Sequence, residues 1–542
     1  MTESARDGLR TLVVGIDGAT LDILAERGED VVPTISGLLE DGATGRLESQ
    51  LPPWTPSAWP SVYTGVNPGK HGVFGFLRFE GYDWDIVNYT DVKEHTLWEL
   101  LSEQGLTSVV VNAPVTHPPS SFEGALVPGY ISPADPECHP PGLLDELREE
   151  LGDYQLYDDT KLDGASERER IDAYANLVEM RGEAFRYLAG EHDPAFGFLQ
   201  FQQTDTVFHE YPEDDAVVDG VFAAVDREVE ATLDACDPDV VLLVSDHGLG
   251  RYDGHEFRVN SFLRERGDVV ATAGGGGMPS WASIARNRLR DGEEGGQHDP
   301  SAVERAMSMA AKVGLTSQRL GAIVQRLGLE NVVLKVVPAD AVRAGTEHVD
   351  FANSRAYMRD RIELGLRINL AGREPEGVVP EADYESVRTD LMDALSAVRT
   401  PDGGPVFDAV MRREDVFEGP YVEDAPDVVV VPASFDQYLS ASLRAETFGP
   451  PSEPWNHKLH GIFCATGDVD VEADVTGAHL LDIAPTALAS LGVPASDRMD
   501  GRTLPVVEEV GREAYPPYEG VDEATDDRDM EARLADLGYL ER

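Results

Sequence analysis

The sequence predicts an α/β fold in which a central, mostly parallel sheet is flanked by helices. Three short runs of apolar, β-branched residues indicate buried strands, namely TLVVGID (11–17), DVVLLVSDHG (239–248) and APDVVVVPA (425–433). Apolar residues recur at three- and four-residue steps in segments such as 165–190 and 219–235, which is the periodicity of helices that bury one face. Strands that alternate with helices are typical of a parallel sheet covered on both faces.

The charge of the chain is strongly unbalanced. The 542 residues include 100 Asp and Glu against 44 Lys and Arg, which gives a formal net charge of −56. Such a charge normally destabilises a compact state by self-repulsion, whereas molar salt shortens the screening length to about 3 Å. Because the acidic residues are spread along the whole chain, we interpret them as adaptation to a halophilic cytoplasm rather than as a surface for a basic partner. Broad nucleic-acid binding is disfavoured, since it needs clustered Lys and Arg.

Other features of the sequence favour a soluble cytoplasmic protein. The three cysteines, Cys138, Cys236 and Cys464, are far apart and form neither a disulfide framework nor a CxxC zinc motif. Mostly polar residues run directly into TLVVGIDG, so we expect no signal peptide. The apolar runs are much shorter than the roughly 20 residues of a membrane span.

We predict one domain over residues 1–505, followed by an acidic C-terminal tail over 506–542. Segments at about 78–200 and 255–350 are predicted to be insertions that form a cap or lid. Within the second, residues 272–302 are rich in glycine and polar residues, which indicates a loop over the site or a disordered spacer.

Ionisable side chains follow two of the predicted strands. Asp17 ends the first strand, and Asp246 and His247 end the strand VVLLV. Buried charges are costly unless they are paired or bound to a metal, and functional groups in such sheets gather beyond the carboxyl ends of the strands. These three residues are therefore candidate ligands, although a lone Asp-His-Gly is also compatible with an ordinary turn.

Further candidate ligands lie elsewhere in the chain. Asp205 and His209 have the spacing D-x-x-x-H, which places both side chains on one face of a helix and suits the binding of one metal ion. His457 precedes the apolar segment GIFCATG. Together with the strand-end residues they make three Asp and three His, a donor set that suits zinc or manganese.

The segment LPPWTPSAWPSVYTGVNPGKHG (51–72) offers four candidate nucleophiles, the hydroxyls of Thr55, Ser57, Ser61 and Thr64. A hydroxyl with an ordinary, high pKa needs a base or a metal to activate it. The residue types alone leave the choice among the four open.

As an ordered set, these motifs resemble the type I phosphodiesterase/nucleotide pyrophosphatase family of the alkaline phosphatase superfamily. That family has an Asp after the first strand, a Thr or Ser nine residues before a Thr-Gly, then D-x-x-x-H, D-H-G and a late His with Gly four positions on. The matching residues here are Asp17, Thr55 (counted back from Thr64-Gly65), Asp205 and His209, Asp246 and His247, and His457 with Gly461. The resemblance continues in INLAGREPEG (368–377) and DIAPTALASLGVPASDRMDGRTL (482–504), so it spans nearly the whole chain.

The resemblance implies an alkaline phosphatase-like core with inserted cap segments and two divalent metal ions. It implies that Thr55 attacks phosphorus in phosphodiester or pyrophosphate bonds of a small phosphate ester or nucleotide-type substrate, with a phospho-threonine intermediate. One ion would be held by Asp205, His209 and His457, and the other by Asp17, Asp246, His247 and the Thr55 oxygen. Candidate contacts to the substrate are Lys70, Arg355 and Arg373.

Other functions are compatible with the same motifs. A phosphomonoesterase and a cofactor-independent phosphoglycerate mutase share this fold and metal site, although the mutases use Ser where this chain has Thr55. A sulfatase would need a Cys or Ser in a CxPxR-type motif, which is missing here. A catalytically inactive relative that binds a ligand or partner is the alternative from outside the enzymes.

The net charge of −56 predicts a salt-dependent fold. The melting temperature should rise steeply between low and molar KCl, because added salt screens the repulsion among carboxylates. Thermal unfolding followed by circular dichroism across a KCl series measures this. A melting temperature that does not change with KCl would show that the acidic residues serve another purpose.

Overall fold

A computed structural model describes residues 8–158, 162, 164–273 and 347–520. Its largest sheet contains eight strands. In spatial order they are β21 (Ala478–His479), β2 (Ala43–Glu48), β20 (His460–Gly467), β8 (Val240–Val244), β1 (Thr11–Ile16), β7 (Phe196–Phe201), β5 (Ser108–Val111) and β6 (Gly124–Val127). Strands β8, β1, β7, β5 and β6 are parallel, and β20 runs antiparallel to both of its neighbours. The prediction of a mostly parallel central sheet is confirmed.

Both faces of the large sheet are covered by helices, as the apolar pattern of its strands predicts. On β1, the side chains of Leu12, Val14 and Ile16 pack into one buried cluster and that of Val13 packs into another. The first cluster includes residues of α1 (Leu21–Val31), α2 (Pro33–Asp41), α7 (Glu167–His192) and α9 (Asp215–Cys236). The second includes residues of α3 (Thr55–Thr64), α5 (Leu97–Glu103) and α12 (Ile483–Ser490). The remaining described helices are α4 (Pro68–His71), α6 (Leu143–Leu151), α8 (Gln203–Glu210), α10 (Val259–Arg266) and α11 (Tyr384–Ala397).

The helix boundaries follow local sequence signals. The long helix α7 begins after Ser166, whose side chain accepts a hydrogen bond from the backbone of Glu169 while the Glu169 carboxylate binds back to Ser166. The helix α3 has Pro56 in its first turn and ends at Gly65, which has a φ of 69° that glycine adopts without strain. The helical segments predicted at 165–190 and 219–235 correspond to α7 and α9.

The third predicted strand lies outside the large sheet. Residues 428–432 form β16, which is antiparallel to both neighbours in a separate four-stranded sheet. This sheet has the order β13 (Ala356–Tyr357), β14 (Gly365–Ile368), β16 (Val428–Pro432) and β15 (Phe407–Arg412). The strand prediction was right, but its place in the parallel sheet was wrong, because burial on both sides gives the same apolar run in either kind of sheet.

Smaller sheets complete the described part of the chain. Strand β9 (Gly248–Arg251) pairs with β19 (Trp455–Lys458), and this pair borders the candidate site described below. The others are formed by β3 (Leu77–Glu80) with β4 (Asp83–Ile86); β10 (Glu256–Arg258) with β17 (Tyr438–Ser440) and β18 (Phe448–Gly449); β11 (Ala271–Ala273) with β12 (Glu347–Val349); and β22 (Ala495–Ser496) with β23 (Arg512–Glu513).

The predicted cap segments and tail are only partly within the described residues. The segment 78–200 supplies β5, β6 and most of β7 to the large sheet, so part of it belongs to the core and only its remainder stays predicted as a cap. Of the segment 255–350, the glycine-rich part from 274 onward lies outside the described residues. In the tail, β23 pairs with β22, and residues from 521 onward lie outside the described residues.

Two expectations from the sequence, about the cysteines and about membrane-spanning segments, can be compared with the structure. The cysteines Cys138, Cys236 and Cys464 are free thiols. Among the helices of the described residues, none is both long and apolar enough to cross a membrane.

The packing of β1 against α3 predicts the effect of a small substitution. A Cβ atom on Gly15 would lie 2.4 Å from Cη2 of the buried Trp59 and 3.0 Å from Cγ of Gln200. Overpacking of this kind costs about 1–3 kcal/mol. We expect Gly15→Ala to lower the free energy of unfolding by this amount, as measured by urea denaturation in molar KCl.

Gly37→Ala is the matched control, because a Cβ atom there has nothing within 4 Å and alanine favours the helix α2. Equal stability of the two variants would contradict the tight packing of β1 on Trp59.

Candidate active site

The topology of the large sheet brings the strand-end residues together. Asp17 directly follows β1, and Asp246 and His247 follow β8. Because β1 and β8 are paired in parallel register, with Gly15 opposite Val244, the two carboxyl ends lie at the same edge of the sheet. All three side chains are fully buried there.

The other candidate ligands reach this edge by two different routes. The helix α8 begins just after β7, the other neighbour of β1, and carries Asp205 and His209 one turn apart. His457 lies on β19, which is antiparallel to β9 and places His457 opposite Leu249. Since β9 begins directly after His247, this pairing returns a residue from late in the chain to the end of β8.

The six side chains form one cluster. His247 Nε2 lies 3.4 Å from Asp17 Oδ1 and 3.3 Å from Asp246 Oδ2. Asp205 Oδ1 lies 3.4 Å from His209 Nε2 and 3.6 Å from His457 Nε2. The two halves are joined by His247 and His457, whose rings stack with centroids 3.7 Å apart. Two groups within the cluster, Asp17 with Asp246 and His247, and Asp205 with His247 and His457, have ligand atoms close enough to share a metal ion.

Backbone carbonyls orient two of the imidazole rings. His247 Nδ1 lies 3.0 Å from the carbonyl oxygen of Gly248, and His457 Nδ1 lies 2.9 Å from that of Pro53. A carbonyl oxygen can only accept, so Nδ1 carries the proton in each ring. In the neutral tautomer this leaves Nε2 without a proton and facing the carboxylates, which is the arrangement of metal-binding histidines.

Asp17 is held by neutral donors from the core. Its Oδ2 accepts hydrogen bonds from Trp59 Nε1 at 3.1 Å and from Gln200 Nε2 at 2.8 Å. The backbone carbonyl of Asp17 accepts from the Thr204 hydroxyl at 2.7 Å. Trp59 is fully buried, and its indole N–H fixes the orientation of this carboxylate.

One oxygen of each aspartate is left without a hydrogen-bond donor among the described residues. These atoms are Asp17 Oδ1, Asp205 Oδ1 and Asp246 Oδ2, and all three are buried. A buried carboxylate oxygen without a partner is strongly unfavourable unless a cation is close to it. Three such oxygens beside three imidazole Nε2 atoms make a donor set that fits divalent cations.

The electrostatics of the cluster also favour the binding of cations. Burial, and then the charges of Asp246 and Asp205, raise the pKa of Asp17 well above its usual value. Burial also raises the pKa of Asp246, to about 6. Burial acts to raise the pKa of Asp205 as well, but His209 and His457 lower it below its usual value. The carboxylates therefore repel one another strongly in the absence of bound cations.

Thr55 is the hydroxyl that contacts this cluster. It is the first residue of α3, is only 3% exposed, and its Oγ1 lies 3.4 Å from His247 Nε2. Ser57 instead donates to the carbonyl of Pro52 at 2.9 Å, and the Ser61 hydroxyl lies 2.9 Å from His71 Nε2. Thr64 donates to the carbonyl of Pro60 within its own helix.

A cavity of about 400 Å³ opens beside the cluster, and its wall includes Thr55, Asp205, His209 and His457. Trp54 also lines it and stacks on His457, with ring centroids 5.2 Å apart. A cavity of this size is suited to a small-molecule ligand.

The three predicted substrate contacts do not line this cavity among the described residues. Lys70 pairs with Asp500, Arg355 lies 2.9 Å from Asp268, and Arg373 binds both carboxylate oxygens of Asp427 at 2.7 Å. Each basic side chain is thus held by an acidic residue elsewhere on the protein. Among the described residues that line the cavity, the only Lys or Arg is Arg361, which was not among the candidates from the sequence. The arginine-rich run YMRDRIELGLR (357–367) was the available signal.

Comparison with known proteins identifies the family. The model of the type I phosphodiesterase/nucleotide pyrophosphatase family matches residues 11–462. The chain belongs to this family. Its members are phosphoric ester hydrolases, and the protein is an enzyme of that class.

Solved structures show the same fold at low sequence identity. Phosphonoacetate hydrolase from Sinorhizobium meliloti 1021, in complex with phosphonoformate, is 16% identical with a TM-score of 0.52, covering 89% of this chain and 96% of that one. Human ectonucleotide pyrophosphatase/phosphodiesterase 5 is 12% identical with a TM-score of 0.50, covering 91% and 97%. No curated protein matches the chain in sequence.

Proposed function

We propose that this enzyme hydrolyses phosphodiester or pyrophosphate bonds through a phospho-threonine intermediate on Thr55. The observation that supports this most is the position of Thr55 Oγ1, 3.4 Å from His247 Nε2. It lies beside three buried aspartates, each of which has an oxygen without a donor in the described part of the chain. A hydroxyl at such a cluster has both an activating environment and an open cavity in front of it.

Two divalent metal ions are part of the proposal. Asp205, His209 and His457 would hold one ion, and Asp17, Asp246 and His247, together with the Thr55 oxygen, the other. Bound there, the ions would lower the pKa of the hydroxyl and neutralise charge on the entering and leaving oxygens. The mixed imidazole and carboxylate donors suit zinc and, as the alternative, manganese.

The residues of the chain provide the nucleophile and its orientation. The Thr55 hydroxyl loses its proton to solvent as its oxygen attacks phosphorus, and the bond from phosphorus to the leaving oxygen breaks. The leaving oxygen takes up a proton, and the phosphoryl group, with the remaining ester group of a diester substrate still on it, is bound to Thr55. Water then attacks the phospho-threonine and regenerates the hydroxyl. Thr55 stands at the N-terminus of the ten-residue helix α3, whose dipole stabilises negative charge on the phosphoryl oxygens.

The surrounding contacts keep this geometry fixed during the reaction. Trp59 and Gln200 hold Asp17, while the carbonyl groups of Pro53 and Gly248 hold the two imidazole rings. The substrate class is a small phosphate ester or nucleotide, because the cavity is small and the net charge of −56 repels extended nucleic acid.

Metal binding is the first test of the proposal. Protein stripped with a chelator should take up two equivalents of zinc or manganese and melt at a higher temperature, because an ion that binds the native state stabilises it. Asp205→Asn and Asp246→Asn should each lose close to one equivalent, measured by elemental mass spectrometry.

Asp226→Asn is the matched control, since this buried carboxylate accepts hydrogen bonds from the backbone N–H groups of Thr34 and Ile35 and lies outside the cluster. It should keep both equivalents. Uptake of less than one equivalent by the stripped wild type would contradict the two-metal proposal.

Substitution of the nucleophile is the second test. Thr55→Ala should lower the rate of bis(4-nitrophenyl) phosphate hydrolysis by several orders of magnitude, as loss of a central catalytic group does, while the six other ligands keep metal bound. Thr55→Ser should retain measurable activity because the hydroxyl is preserved. Ser57→Ala should have a mild effect, since that hydroxyl is bonded to Pro52.

The three variants are compared in molar KCl with their metal content measured in parallel, and 4-nitrophenyl phosphate is included to separate monoesterase from diesterase activity. Activity of Thr55→Ala near that of the wild type, with an inactive Ser57→Ala, would mean that the nucleophile is Ser57.

A further inference from the structure

The cavity beside the metal-ligand candidates has one strongly basic side chain on its wall. Among the described residues that line it, Arg361 is the only Lys or Arg, whereas Asp158, Glu210 and Glu453 join Asp205 as acidic residues. In a chain with a net charge of −56, a cation at this place is unexpected from composition alone.

Arg361 is held in a fixed position close to His457. Its Nη2 donates to Glu453 Oε2 at 2.9 Å, and the same carboxylate oxygen accepts from Asn456 Nδ2 at 2.7 Å. Asn456 immediately precedes His457 on β19. The guanidinium also lies over the ring of Tyr438, with its carbon 5.0 Å from the ring centroid. Through Glu453 and Asn456, the Arg361 side chain is therefore connected by hydrogen bonds to β19, the strand that carries His457.

The guanidinium retains capacity for a ligand. An arginine has five N–H donors, and the hydrogen bond to Glu453 uses one of them. The side chain is 21% exposed, and the cavity is the space it borders. Arginine binds phosphate and carboxylate groups through paired hydrogen bonds, so the remaining donors suit an oxyanion.

The cavity wall also includes apolar side chains. Phe76, Leu156, Leu162 and Leu177 contribute apolar surface there. An uncharged part of a substrate is stabilised against this surface, whereas a second negative charge would be poorly solvated by it. The cavity wall therefore offers apolar surface to an uncharged part of a substrate and one guanidinium to an anionic part.

We propose that Arg361 is a specificity-determining residue that binds a second anionic group of the substrate, a phosphate or a carboxylate, away from the phosphorus atom that Thr55 attacks. This inference rests on the proposed function, since it assigns a role to a residue of the same cavity. It makes the enzyme selective for substrates that carry an additional negative group over singly charged diesters of the same size.

Matched substrates test this selectivity. They are 4-nitrophenyl phenyl phosphate and its two derivatives that carry a carboxylate or a phosphonate on the phenyl ring, all with the same leaving group. The wild type should show a kcat/KM about tenfold higher for at least one charged derivative, which corresponds to about 1.4 kcal/mol. The derivative that is preferred tells whether the second group is a carboxylate or a phosphate-like anion.

Arg361→Gln should reduce this preference to near unity while leaving kcat/KM for the singly charged, unsubstituted phenyl diester within about threefold of the wild type. Arg361→Lys should keep part of the preference, because it retains the charge without the paired donors. The control is Arg251→Gln, which removes the same charge from an exposed arginine that pairs with Glu213 and is not among the described residues that line the cavity. It should keep the full preference.

The inference is overturned if Arg361→Gln keeps the wild-type ratio of kcat/KM between the charged derivatives and the unsubstituted ester, whether or not all three values fall. Calorimetric binding of phenylphosphonate and 3-carboxyphenylphosphonate to metal-loaded protein gives the same comparison without turnover. If the wild type hydrolyses none of the esters, the proposed function fails, and the effect of Arg361→Gln on the two binding constants still decides the role of Arg361.

Discussion

The burial of three carboxylates at one edge of the large sheet is the constraint on which the site depends. Asp17 and Asp246 follow neighbouring strands, and Asp205 lies on the helix that follows a third. Each has a buried oxygen without a donor among the residues that the structure describes. Such an arrangement stores electrostatic repulsion that the rest of the fold must offset. The apolar clusters on both faces of the sheet supply that stability, and the imidazoles beside the carboxylates provide the complementary donors.

The side chains that hold the carboxylates leave the repulsion among them in place. Neutral donors, rather than Lys or Arg, hold Asp17 through Trp59 and Gln200. A basic side chain at the same distance would satisfy the carboxylate and compete with a metal ion for it. The glycine at position 15 belongs to this arrangement, since its missing side chain is what admits the indole of Trp59 beneath the sheet edge.

Much of the fold and of the cluster could be predicted from the sequence, because both depend on local patterns in a fixed order. The strands before Asp17 and Asp246 are short apolar runs, and the spacing of Asp205 and His209 is helical. The sheet to which residues 428–432 belong could not be predicted, since an apolar run does not specify its partners. The position of Arg361 on the cavity wall could not be predicted either, because it differs from Lys70, Arg355 and Arg373 only in which acidic residue each meets in three dimensions.

The pairing of β19 with β9 has a consequence for how the protein is made. Asp17 leaves the ribosome long before His457, and His457 must be synthesised before β19 can form beside the end of β8. A nascent chain that already contains β1, β7 and β8 therefore contains the three aspartates but not yet the full set of histidines. The site is complete only after β19 has been synthesised. A chain that terminates before β19 therefore contains the three aspartates of the cluster without the imidazole of His457.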